Sequence, residues 1–87
     1  MRVKLLFFAS LRDEMNCSEV ELALVDGSLS SLQHALTTRF GESAELLWAD
    51  NVRLARNQTV IAPQQLGSEF CLTNGDEVAF LPPVTGG

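Results

Sequence analysis

Polar and apolar positions alternate from the first residues onward. Val3 to Ala9 has the pattern of a strand, and Lys4 must face solvent or a partner. A period of two then puts Val3, Leu5 and Phe7 on the core side, with Leu6 and Phe8 on the outer side beside Lys4. Ser10 to Asn16 is polar around Leu11 and Met15, which predicts a helical turn or loop. Ser18 to Leu24 alternates again through Glu19, Val20, Glu21, Leu22 and Ala23, a second half-buried strand. The short connection predicts that these two strands pair antiparallel.

Asp26-Gly27-Ser28 breaks the alternation and offers a helix N-cap at Asp26 or Ser28. Leu29, Leu32, Leu36 and Phe40 then recur along one face of a helix, and Gly41 ends it. His34 lies off that stripe and reads as an exposed helix residue. Glu42 to Ala49 forms a shorter helical patch with Leu46, Leu47 and Trp48, the last at the edge of the core. Val52 to Ala55 and Thr59 to Ala62 are short strands around a hairpin at Asn57-Gln58. Pro63 closes the second, and Gln64 to Cys71 is a loop with Leu66 as its core plug.

The chain ends on Gly75-Asp-Glu-Val-Ala-Phe-Leu-Pro-Pro-Val-Thr-Gly-Gly87. Asn74-Gly75-Asp76 supplies a turn, and Val78 to Leu81 is an apolar run of strand length. Pro82-Pro83 stops the sheet, because proline has no N–H for a ladder. Each proline also biases its predecessor to an extended conformation. The domain is therefore expected to span residues 1–81, and residues 82–87 to form a flexible tail, stiff at its root. Extended, that tail reaches roughly 20 Å. Gly86 and Gly87 have no Cβ, so a terminal carboxylate there fits a slot too narrow for other residues. The alternative is a frayed polar end.

Composition narrows the function. Eighty-seven residues, 46% of them apolar, suit one globular domain. No apolar run approaches membrane-spanning length, and the N-terminus reads as a strand rather than a signal peptide, so a cytoplasmic location is expected. A net charge of −5 with only six Lys and Arg argues against nucleic-acid binding and suits a basic protein partner. Cys17 and Cys71 are widely separated, and a single His completes no zinc pattern. Both cysteines are expected to be free thiols. The sequence offers no nucleophile–base pair, phosphate loop or metal site.

Gly75 to Phe80 followed by Pro82-Pro83-Val84-Thr85-Gly86-Gly87 resembles the C-terminal signature of the molybdopterin synthase small subunits, a family of ubiquitin-like sulfur carriers. Val3 to Ala9 with Arg12, and Asn57 to Val60, are similar to the family's first strand and hairpin. Arg56 departs from the pattern, standing where an apolar residue is usual, and so does Asp13-Glu14 after Arg12. The resemblance implies an α+β, ubiquitin-like β-grasp fold. In it a mixed five-stranded sheet packs on one main helix, with the first and last strands parallel neighbours in mid-sheet.

It also implies a cycle. A ubiquitin-activating-like adenylyltransferase joins AMP to the carboxylate of Gly87, and a sulfur donor system converts the adduct to a thiocarboxylate (1-thioglycine). The tail then enters the large synthase subunit, in a heterotetramer of two small and two large chains. There it gives sulfur to cyclic pyranopterin monophosphate, building the dithiolene of molybdopterin. No metal or permanently bound cofactor is implied for the carrier, only the AMP adduct and the thiocarboxylate. Gly87 is the reacting residue and Gly86 its slim neighbour. Strand parity places Leu6, Phe8, Ala79 and Leu81 on the open outer face as a docking patch, with Pro82, Pro83, Val84 and Thr85 leading to the tip. A thiamine-pathway sulfur carrier, a ubiquitin-like protein modifier and a plain interaction module are the alternatives.

Overall fold

The computed structural model describes residues 1–83. Val84, Thr85, Gly86 and Gly87 lie outside the described residues, and with them the reacting end of the expected tail. The elements are β1 (Arg2–Phe7), α1 (Ala9–Met15), β2 (Glu19–Ala23), α2 (Leu29–Phe40), a 3-10 helix (Gly41–Trp48), β3 (Arg53–Arg56), β4 (Thr59–Ile61), a short 3-10 turn (Pro63–Gln65) and β5 (Glu77–Leu81). The five strands form one mixed sheet in the order β2-β1-β5-β3-β4. β1 and β5 run parallel, and β1–β2, β3–β4 and β3–β5 are antiparallel.

The core follows from the alternation. Val3, Leu5 and Phe7 of β1 are buried with Val78 and Phe80 of β5, and Leu32 and Leu36 of α2 pack over them. Burying such side chains contributes roughly 1.5–3 kcal/mol each. The Phe7 ring stands edge-on to Phe40 at 5.4 Å and stacks on Phe80 at 5.8 Å. Trp48 closes the core edge, its ring edge-on to Phe80 at 5.5 Å.

Ser28 is the N-cap of α2, its hydroxyl accepting from the Ser31 N–H. Asp26 braces that cap, accepting from the Ser28 N–H and the Ser31 hydroxyl, so the two candidate caps act together. The segment after Met15 closes on Asn16 at φ 60°, a left-handed cap that completes α1 as a true helix. Asn57 and Gln58 both have positive φ, which makes the β3–β4 connection a tight hairpin matched to strand twist.

Leu66 is only half-buried; the loop's plugs are Phe70 and Leu72, both buried. The reason is a backbone tie: the Leu72 N–H donates to the Gly27 carbonyl at 2.8 Å, drawing this segment under the start of α2.

Candidate functional site: the outer sheet face and the root of the tail

β5 is the central strand, and Pro82 and Pro83 leave from its end. In the parallel register Phe7 faces Phe80, so Phe8 falls beside Leu81 at the end from which the tail departs. Ala9 holds a φ of 50° immediately after Phe8, a conformation that favours glycine and costs a non-glycine residue of order 1 kcal/mol. That turn starts α1 at once and leaves Phe8 45% exposed at the sheet's rim. Leu6, Leu81 and Pro82 are half-buried, and Pro83 is exposed.

Ala79 departs from the expectation of an exposed patch member. It is buried, at 8% exposure, although parity puts its methyl on the outer face. The methyl is short and the central strand is flanked on both sides, by Leu6 of β1 and Ala55 of β3, so Ala79 forms the floor of the patch.

The registers extend that floor beyond the strands that sequence reasoning used. Leu6 opposes Glu19 on one side and Ala79 on the other, Ala79 opposes Ala55, and Ala55 opposes Val60. One cross-strand row thus runs Glu19, Leu6, Ala79, Ala55, Val60, with Val60 58% exposed. On the tail side of it lie Phe8, Leu81 and Arg53, the last opposite Leu81. Arg53 also donates to the Asp50 carbonyl at 2.9 Å, which steadies its guanidinium at the rim. Ala55, Val60 and Arg53 were not singled out from the sequence. Their alternation in two short strands was visible, but their adjacency to β5 was not.

The opposite end of β5 is clamped. Asp76 is the buried charged side chain of the described residues. Its carboxylate accepts from the Thr73 N–H at 2.8 Å and the Asn57 amide at 3.0 Å, and meets Arg56 at 2.7 Å. Asn57 completes the lock, its N–H donating to the Glu77 carbonyl at 2.8 Å while its side-chain oxygen accepts from the Glu77 N–H at 2.9 Å. The Asp76 carbonyl accepts from the Lys4 N–H at 2.9 Å, tying the cluster to β1. Burial pushes the Asp76 carboxyl up, but the Thr73 N–H, the Asn57 amide, the Thr73 hydroxyl and the Arg56 guanidinium outweigh it and hold it below the usual range. The clamp fixes the register of the strand that carries the tail.

Cys17 is half-buried and Cys71 exposed, both free. Among the described residues no group of His, Cys, Asp and Glu could hold a metal ion. None of their helices is long and apolar enough to cross a membrane.

Sheet order, parallel central pair and helical cover define a ubiquitin-like β-grasp domain whose last strand ends beside a partly apolar face. The ThiS family profile matches residues 5–87, and the chain belongs to that family. It is 34% identical over 85 residues to the molybdopterin synthase sulfur carrier subunit of Escherichia coli (strain K12), covering 98% of this chain and 99% of that one. The crystal structure of SAMP1 from Haloferax volcanii superposes with a TM-score of 0.75 at 24% identity, all of both chains covered. A protein–protein complex of subunits 1 and 2 of molybdopterin-converting factor from Helicobacter pylori 26695 contains a chain similar to this one at a TM-score of 0.68 and 25% identity, again over the full length of both.

Proposed function

We propose that this chain is the sulfur carrier subunit of a molybdopterin synthase, working through the carboxylate of Gly87. The observation that carries the reading is the end-to-end match to sulfur carrier subunits, joined to a tail root held between a clamped central strand and an apolar rim. A carboxylate is a poor acyl donor. Attack on the α-phosphorus of ATP by a partner adenylyltransferase's substrate carboxylate releases pyrophosphate and makes AMP a leaving group. A sulfur donor system then displaces AMP, leaving a thiocarboxylate. In the large subunit the sulfur passes to cyclic pyranopterin monophosphate, and the carrier returns as the carboxylate.

The division of labour follows from the residues. The carrier supplies a tethered acyl group and a docking face. The partners supply proton transfer and electrostatic stabilisation. Leu6, Phe8, Leu81 and the Ala79–Ala55 floor, with Val60 at the far side, dock on the large subunit and, in turn, on the adenylyltransferase. Pro82, Pro83, Val84 and Thr85 then aim Gly86 and Gly87 into each active site.

Mass spectrometry of the protein purified from its own cell tests the reading. Replacement of one terminal oxygen by sulfur supports it, and loss of that species in cells lacking the adenylyltransferase supports the order of steps. A ladder of conjugates to other proteins in place of the thiocarboxylate would overturn it in favour of a modifier.

A further inference from the structure

The outer face of the sheet is charged unevenly. At the end away from the tail, Lys4 stands opposite Glu21 on β2 and Glu77 on β5. Arg2 pairs there with Glu21 at 2.7 Å, and Lys4 with Glu19 at 3.5 Å. The carboxylates of Glu19, Glu21 and Glu77 outnumber the cations Arg2 and Lys4, so that end carries a negative surplus. The row at the tail end is Phe8, Leu81 and Arg53, which holds a cation and no carboxylate.

Arg53 is exposed yet held. Its Nη1 donates to the Asp50 carbonyl at 2.9 Å, which leaves Nη2 and Nε as donors. Arg2, Lys4 and Arg56 are each paired with a carboxylate, but among the described residues Arg53 makes no ion pair, with Asp50 or any other acid. Both of its flanks are apolar. Leu81 lies on one side, and on the other is a cleft of about 210 Å³ whose walls include Trp48, Val52, Ile61 and Leu66. A protein that covers this face therefore strips water from the guanidinium on two sides. A desolvated cation without a partner is strongly unfavourable, so an apolar or basic surface is rejected at this point. A carboxylate is accepted, because it matches the planar fork of the guanidinium. The net charge of −5 gives no such discrimination, since it favours basic partners in general.

We propose that Arg53 selects and orients the large synthase subunit by pairing with an Asp or Glu side chain that this subunit places beside the entry point of the tail. The proposal rests on the reading of this chain as that subunit's sulfur carrier. The pair forms opposite Leu81, one residue before Pro82, so it fixes the partner where the tail leaves the sheet. The far end of the face carries the opposite charge. Turning the partner end for end would set its carboxylate against Glu77 and Glu21, and like charges reject that arrangement.

The test is calorimetric titration of the full chain against the large subunit at several salt concentrations. Arg53→Gln is expected to weaken binding roughly tenfold or more, and Arg53→Glu to weaken it further. Arg39→Gln removes the same charge from α2, away from the face, and is expected to leave the affinity nearly unchanged. Arg53→Lys keeps the charge and adds an amine to a chain whose one lysine is Lys4. Carbodiimide then couples that amine to the facing carboxylate, and peptide mapping of the large subunit identifies the residue. Reversing its charge is expected to restore binding to Arg53→Glu. Wild-type affinity in Arg53→Glu, equal losses in Arg53→Gln and Arg39→Gln, or no added coupling in Arg53→Lys would overturn the pairing and leave the sulfur-carrier reading standing. A wild-type chain that does not bind the large subunit at all would overturn that reading and the pairing with it.

Discussion

Nη2 of Arg56 lies 2.7 Å from Oδ2 of Asp76, and this pair joins the β3–β4 hairpin to the start of the central strand. Arg56 stands where the family resemblance leads one to expect an apolar residue. The contact explains it: the guanidinium, a third exposed, satisfies a carboxylate that is 7% exposed. Removing the carboxylate strands the Thr73 N–H and the Asn57 amide. Asp76→Ala is therefore expected to cost about 1–3 kcal/mol in denaturant unfolding, and Arg56→Met less, because three donors to Asp76 remain.

The same cluster sets an acid limit. A carboxyl whose pKa is depressed in the folded state contributes stability above its unfolded value, and that contribution is lost as pH falls through the folded value. For Asp76 the loss begins below 3.8. Asp26, held down to about 2 by Ser28 and Ser31, loses its share between 3.8 and about 2. The melting temperature should fall over this window, and Asp76→Asn should flatten the fall. An unchanged slope in that variant would remove Asp76 from the acid transition.

Gly27 is the second structural pivot. A Cβ at this position would sit 2.1 Å from the Leu72 carbonyl oxygen and 2.8 Å from its nitrogen. Both are backbone atoms and cannot swing aside. Gly27→Ala should cost about 2 kcal/mol or more by parting the Leu72–Gly27 hydrogen bond. Thermal denaturation reads the effect directly, and amide exchange at Leu72 localises it.

Docking of the outer face is read by calorimetric titration against the large subunit. Phe8→Ala and Leu81→Ala should each weaken binding roughly tenfold or more, since buried anchors at an interface centre carry most of its energy. Val60→Asp should do the same, which would carry the interface as far as β4. Circular dichroism controls for folding. Wild-type affinity in all three variants would place the interface elsewhere.

The tail is tested by length and bulk. Deleting Gly87, or adding a residue beyond it, displaces the reacting carbon by roughly 3.5 Å and should abolish sulfur transfer with the unfolding midpoint unchanged. Gly86→Ala should slow adenylation through the added Cβ. Normal molybdopterin synthesis by the truncated chain would exclude the proposed chemistry at Gly87.

Local periodicity placed the five strands and α2 to within a residue or two. It left Ser10 to Asn16 open between a helical turn and a loop, and carried the first strand through Ala9, which starts α1. Lys4 and Glu77 announce the outward side of their strands, so parity alone sorted Val3, Leu5, Phe7, Val78 and Phe80 into the core. The α2 stripe and the Asn57-Gln58 turn were legible for the same reason: each is encoded by residues near one another in the chain. What needed the tertiary structure was every property created by distant segments meeting. Ala79 is buried because β1 from the start of the chain and β3 from its middle flank it, and Phe70 displaces Leu66 as a plug because Leu72 bonds to Gly27. Arg56 finds its partner twenty residues away in Asp76, and the row from Leu6 to Val60 exists only in the assembled register. Side-chain direction is set by the local pleat, whereas neighbour identity across a sheet is set by how the whole chain closes.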